Sequence, residues 1–214
     1  MTMKHLMKTS LLLLAFCLPL TAMAYDFKVD GVCYMTDLWG DYAMVCDQGE
    51  DGGHYSGNVT IPATVTNDDT TYPVTRINAY AFSNCAELTG VTIPGSVTEI
   101  NDHSFENCTG LSAVELPEKL IVIDAAAFEG CTAFTRIDIP ANVAKIGIWA
   151  FQNCSNLTDV YSHIADPSQV DFGFNSFALE DENYSTRTLH VPAGTIGAYK
   201  EAGWDGYFGK IVEM

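Results

Sequence analysis

Basic residues are scarce in this chain: 10 lysines and arginines stand against 27 aspartates and glutamates in 214 residues, a formal charge of −17. A protein that grips a phosphate backbone needs a clustered basic footprint, so no nucleic-acid partner is expected. The acidity is read instead as a source of solubility for an elongated molecule. Long apolar runs are also missing. Leu11 to Leu18 is too short to cross a bilayer, and no later stretch is long enough, so no membrane span is expected. Catalytic signatures are absent: there is no Gly-x-Ser-x-Gly, His-Glu-x2-His, Gly-x4-Gly-Lys or Gly-x-Gly-x2-Gly. After residue 24, histidine occurs only at His54, His103, His163 and His190, scattered along the chain. No Cys-x2-Cys pair offers a tetrahedral metal site. The acidic stretches Asp47 to Asp51 and Glu180 to Asn183 lack the alternating ligand order of a calcium-binding loop. No catalytic, cofactor or metal residues are therefore expected, and the chain is read as a non-enzyme.

What the sequence does contain is a repeat. The frame Ile-x4-Phe-x2-Cys-x2-Leu occurs at Ile77/Phe82/Cys85/Leu88, Ile100/Phe105/Cys108/Leu111, Ile123/Phe128/Cys131/Phe134 and Ile146/Phe151/Cys154/Leu157, every column advancing by the same 23-residue step. A unit this short cannot bury its own apolar side. It needs a neighbour above and below, which predicts a solenoid of stacked coils. A second signature, Val-x-Ile-Pro, runs through Val59/Ile61/Pro62, Val91/Ile93/Pro94, Val114/Leu116/Pro117 and Ile137/Ile139/Pro140. It continues at Val160 and at Leu189/Val191/Pro192. Alternation sends the first and third residues inward, and proline ends each strand by withholding a ladder donor. The intervals predict one strand per coil and two inserted outer loops, Thr66 to Thr75 and Asp166 to Thr188.

The ends read differently. Lys4, Lys8, the run Leu11 to Leu18 and Ala22-Met23-Ala24 read as a cleaved secretory signal over residues 1–24. Cys17 follows Phe16, where a lipid-anchoring signal has a small residue. Residues 25–58 alternate apolar and polar in two runs around Cys33 and Cys46, which predicts a β-hairpin covering the first coil. Residues 59–188 form the solenoid. Residues 189–214, with a short helical stretch near Thr195 to Ala202 and then Trp204, Tyr207 and Phe208, form a C-terminal cap.

The run Leu88-x2-Val91-x-Ile93-Pro94, followed by Val97-x2-Ile100-x4-Phe105-x2-Cys108-x2-Leu111, resembles the BspA-like leucine-rich repeat of exported proteins in Bacteroides-type bacteria. Tyr25-Asp-Phe-Lys-Val-Asp-Gly and Thr188-Leu-His-Val-Pro-Ala-Gly-Thr resemble that family's ends. The resemblance implies an α/β, right-handed leucine-rich-repeat solenoid: a parallel β ladder with short helical or 3₁₀ turns around Phe-x2-Cys, a hairpin N-cap and a helical, aromatic C-cap. It also implies an exported protein in the periplasm, at the cell surface or secreted, adhesin-like, that binds a protein or glycan, host-derived ligands included. The alternative is a structural component that assembles in the envelope. No binding residues are carried over from the family.

Within a repeat, columns that vary are free to face solvent. The outward strand column reads Thr92, Glu115, Asp138, Tyr161 and His190, preceded by Thr60; a second column reads Tyr80, His103, Ala126 and Trp149. Exposed rings and charges in a row suit partner recognition, so Thr92, Glu115, Asp138, Tyr161, His190, Tyr80, His103 and Trp149 are the candidate contacts. Cys85, Cys108, Cys131 and Cys154 read as stacked small hydrophobes, since parallel side chains do not converge on a metal. Cys33 and Cys46 either bridge across the hairpin or stay as thiols. Neither of the two runs contains a histidine, so neither cysteine reads as a nucleophile.

Overall fold

A computed structural model describes residues 25–48, 54–179 and 184–214. The secretory signal expected over 1–24 and the acidic Glu50, Asp51 and Glu180-Asp181-Glu182 lie outside the described residues.

The Val-x-Ile-Pro signature gives one series of strands: β4 (Gly57–Thr60), β7 (Leu88–Thr92), β9 (Ala113–Glu115), β11 (Arg136–Ile139), β13 (Asp159–Ser162) and β15 (Thr188–Val191). Where a proline follows, the strand stops ahead of it, as the missing donor requires. Their pairing is parallel but falls into two sheets, β4-β7-β9 and β11-β13-β15-β16, the last strand being Lys210–Glu213. Ile61, Val91, Ile93, Ile137, Ile139, Val160, Leu189 and Val191 are buried in the core.

A second series goes beyond the single strand per coil expected. β8 (Glu99–Ile100), β10 (Val122–Ile123), β12 (Lys145–Ile146) and β14 (Asp171–Phe172) pair in parallel with one another along the Ile column. Coils of the regular repeat thus contribute two strands rather than one. The ladder is extended at its start by β6 (Thr70–Ile77) and β3 (Ala43–Cys46), and beyond them by β2 (Val32–Thr36) and β1 (Phe27–Val29).

Around Phe-x2-Cys, where short helical or 3₁₀ turns are expected from the sequence, the chain makes stacked tight turns closed by 3₁₀-type bonds, Ser83 N–H to Tyr80 O and Cys85 N–H to Phe82 O, both at 3.1 Å. Tyr80, His103, Ala126 and Trp149 take φ of 51–61°, and four residues later Asn84, Asn107, Gly130 and Asn153 take 56–69°. Left-handed residues at that interval interrupt any helix. Alternate backbone N–H groups bond along the stack: those of Tyr80, Phe82 and Asn84 donate to the carbonyls of Asp102, Ser104 and Glu106 on the next coil, at 2.7–3.1 Å. Inside the stack, Tyr55, Phe82, Phe105, Phe128, Phe151 and Phe177 form a column of rings with successive centroids 4.7–5.3 Å apart.

In their described residues both insertions hold regular structure where loops are expected. The first is a hairpin, β5 (Thr64–Asn67) against β6, turning at Asp68 and Asp69 with φ of 48° and 63°. Two consecutive positive φ values are what a two-residue hairpin turn demands, and aspartate tolerates them. The second holds an extra rung, in which Phe172 follows Ile146 in the Ile column and Phe177 follows Phe151 in the Phe column, a slightly longer step than the regular coils take. At the C-terminus, α1 (Ile196–Glu201) and a 3₁₀ segment (Trp204–Tyr207) place Trp204, fully buried, on the Phe172 ring at 4.4 Å. Among the described residues no helix is long and apolar enough to cross a membrane.

Candidate partner-binding faces

The outward strand column is brought together in two halves. Thr60, Thr92 and Glu115 are lateral neighbours on β4, β7 and β9, all exposed. Asp138, Tyr161 and His190 are neighbours on β11, β13 and β15. The second half carries the geometry. The Tyr161 ring stacks on the His190 ring at 4.0 Å, and the Arg136 guanidinium lies 3.8 Å from the Tyr161 centroid. Arg136 is itself aimed by a two-pronged bond to Asp138, at 2.7 and 2.8 Å, and His163 stands 3.6 Å from the same carboxylate. His190 Nε2 meets Asp159 at 2.9 Å. The Arg136 hydrogen bond holds the Asp138 carboxyl below the usual carboxylate range, and the His190 hydrogen bond does the same for Asp159.

Sequence reasoning named three of these six residues and missed Arg136, Asp159 and His163. Their signal was available. Arg136 and Asp159 sit two residues before Asp138 and Tyr161, so strand alternation puts them on the same outward face.

The second column divides. Tyr80 and His103 stack at 4.9 Å with rings nearly parallel, but Ala126 is buried and separates them from Trp149. Trp149 belongs to another patch, in which Ile148, Trp149 and Phe174 are exposed large apolar residues on the last coils. Beside the Tyr80/His103 stack, Glu106 and Glu129 occupy successive coils at the position after the phenylalanine. Burial first, then the Glu106 charge, pushes the Glu129 carboxyl up. A cleft of about 270 Å³ adjoins Tyr80 and is lined by His54, Tyr55, Asn84 and Cys85 among others.

The cysteines behave as two groups. Cys108, Cys131 and Cys154 are buried, and each thiol donates to the phenylalanine carbonyl of the preceding coil at 3.0–3.2 Å. Arg187 follows this column: its buried guanidinium donates to Cys154 O at 2.7 Å, to Leu157 O at 3.0 Å and to Phe177 O. Cys33 and Cys46 are direct partners in the β2–β3 register, both buried and carried as thiols. The Tyr55 hydroxyl sits between their backbones, accepting from Cys33 N–H and donating to Cys46 O, both at 2.9 Å.

Parallel coils stacked in register, with a phenylalanine column inside, define a leucine-rich-repeat architecture. Residues 75–187 match the BspA type Leucine rich repeat region in 6 copies, and the chain belongs to that family. A leucine-rich repeat protein from Bacteroides capillosus ATCC 29799 is 34% identical, over 64% of this chain and 97% of its own, with a TM-score of 0.55. The leucine-rich repeat protein of T. pallidum shares the fold at 23% identity and a TM-score of 0.64, over 87% of this chain and 81% of its own. A leucine-rich repeat protein from Bacteroides ovatus ATCC 8483 is 24% identical with a TM-score of 0.54, over 78% of this chain. The present chain spans about half of that protein's length, 50%. No curated protein matches the chain.

Proposed function

We propose that this chain is an exported, non-enzymatic binding module, a capped right-handed solenoid that presents its outward strand face to a protein or glycan at or beyond the cell surface. The observation that carries the reading is Tyr161 held between the Arg136 guanidinium and the His190 ring. Tyrosine and arginine dominate binding energetics at interfaces, because they offer large contact area and several polar contacts at low entropic cost. Here both are fixed before a ligand arrives, which lowers the ordering cost of association. Asp138, Asp159 and His163 surround them with donors and acceptors suited to hydroxyls or to backbone amides. Export is supported by the signal-like residues 1–24.

The test is capture from a glycan array and from extracellular-matrix proteins by wild type and by Tyr161→Ala and Arg136→Ala. Loss of capture in both variants, with unchanged circular dichroism, supports the strand face. Unchanged capture removes it.

A second reading, an assembly component of the envelope, rests on the exposed Ile148, Trp149 and Phe174. Light scattering at high protein concentration separates the two: a strict monomer counts against assembly.

A further inference from the structure

We propose that His103, Glu106 and Glu129 form a binding site for a divalent transition-metal cation, with zinc the ion whose chemistry fits the donor set. One imidazole nitrogen and two carboxylate oxygens, one from each residue, all lie within 4.8 Å of one another. A tetrahedral zinc with bonds of about 2.0–2.1 Å holds its ligand atoms about 3.3 Å apart. His103 Nδ1 and Glu106 Oε2 already stand 3.3 Å apart. The Glu129 carboxylate closes the third edge by rotation about its own side-chain bonds.

The repeat assembles the trio. His103 and Glu106 lie three residues apart in one turn, and Glu129 is one full period beyond Glu106, so the two carboxylates are stacked on adjacent coils. Ala126, where other coils carry a ring, keeps the space over His103 open. The imidazole is held from below by Tyr80 at 4.9 Å, and its backbone by the bond from its N–H to Ala125 O at 2.9 Å. Ser83 Oγ donates to Glu106 Oε2 at 3.3 Å, fixing that carboxylate from a third coil. Ligands oriented in this way by their neighbours are the usual condition of a metal site.

Two independent observations point to a cation. His103 Nδ1 is shielded from solvent and has no hydrogen-bond partner, although Glu106 is within reach of it by distance. Buried unpaired nitrogens are rare and call for a partner. The stacked glutamates have His103 beside them but no fixed cation: among the described residues, no lysine or arginine forms an ion pair with either. The imidazole favours zinc over calcium or magnesium, which require more oxygen ligands than two carboxylates supply. Side chains about one quarter exposed, 27% for His103 and 25% for Glu106, leave the fourth position facing outward, for water or for a donor from a partner. The expectation of no metal drawn from the sequence weighs cysteines and acidic loops; this trio is contiguous only once the coils stack.

The test is isothermal titration of the untagged protein with zinc chloride, compared with Glu129→Gln, Glu106→Gln and the distant Glu118→Gln. One zinc per chain is expected, weakened at least about tenfold by either of the first two substitutions and unchanged by the third. Thermal melts without metal check that the variants are folded. Cobalt supplies the second readout: visible d–d bands without a thiolate charge-transfer band place the ion on nitrogen and oxygen. No zinc uptake, equal affinity in Glu129→Gln, or a thiolate charge-transfer band overturns the proposal. The outcome is independent of the strand face, which none of these substitutions touches.

Discussion

The Cys131 thiol donates to the carbonyl of Phe105, 3.1 Å away on the preceding coil. Cys108 and Cys154 do the same toward Phe82 and Phe128. The column therefore uses cysteine as a small hydrophobe with one weak donor, a combination that alanine and valine lack. Burial raises these thiols, Cys131 well above the ordinary value and Cys154 to about 12. At neutral pH almost none is thiolate, the reactive form. Thiol reagents should leave Cys108, Cys131 and Cys154 unlabelled in the folded protein and label them in urea. Rapid native labelling, located by peptide mass spectrometry, would refute this.

Removing one thiol should have a modest effect. Phe105 O also accepts from Cys108 N–H, so it keeps a partner when the sulfur is lost. Cys131→Ala is expected to cost about 1–2 kcal/mol, mostly from the small void it leaves. Phe128→Ala, in the middle of the ring column, should cost about 3–5 kcal/mol. Urea denaturation of the two variants checks the ranking.

Among the described residues Arg187 is the charged side chain buried in the interior. Its guanidinium serves three carbonyls where the cysteine column ends. Arg187→Met keeps much of the length and removes every donor, leaving carbonyls without their charged partner. A loss of about 3 kcal/mol or more is expected by thermal or urea unfolding. Near-wild-type stability would mean that the carbonyls find other donors.

Acid should loosen the strand-face network. Asp138 and Asp159 are held below their unfolded value of about 3.9, chiefly by hydrogen bonds from Arg136 and His190. The stability they contribute is therefore fully present above about pH 4 and disappears as the pH falls through their folded midpoints. The Asp138 side chain is 45% exposed, so its contribution is small. Arg136→Leu should move the Asp138 midpoint up toward the unfolded value, measured by carboxyl carbon resonances. An unmoved midpoint would show that Arg136 does not govern it.

Cys33 and Cys46 face each other across β2 and β3, and we expect them to bridge when the protein matures in an oxidising compartment. The closed loop is short, and the chain-entropy contribution is about 3 kcal/mol. Alkylation and mass counting after oxidative refolding should find two fewer free thiols than after reduction. Full alkylation under both conditions would exclude the bridge.

The stacking direction is legible in the sequence because the Ile, Phe, Cys and Leu columns keep a constant step from Ile77 to Leu157. The second strand series is not, because two-residue strands such as Glu99–Ile100 are too short to show alternation. Tyr55 and Phe177 are hidden because they join the ring column out of step with the regular period. The left-handed residues of the turns around Phe-x2-Cys, read from the sequence only as short helical or 3₁₀ turns, are hidden because such φ at Tyr80 or Trp149 is unusual for bulky side chains. Only the asparagines four residues on give a local hint. Of the strand-face cluster, Asp138, Tyr161 and His190 emerge as a varying column, while the clasp between Arg136 and Asp138 is a side-chain event that periodicity does not encode.

The N–H groups of Tyr80, Phe82 and Asn84 bond to the following coil, and those of His103, Phe105 and Asn107 to the one after it. Each turn is thus completed by material supplied almost one full period downstream. A deletion of a few residues strands three donors at once, whereas excision of one whole period, such as residues 101–123, hands every donor an equivalent acceptor. Within the regular coils, Ile77 to Leu157, the whole period is therefore the natural unit of any change in length, and the irregular steps fall where the two insertions lie.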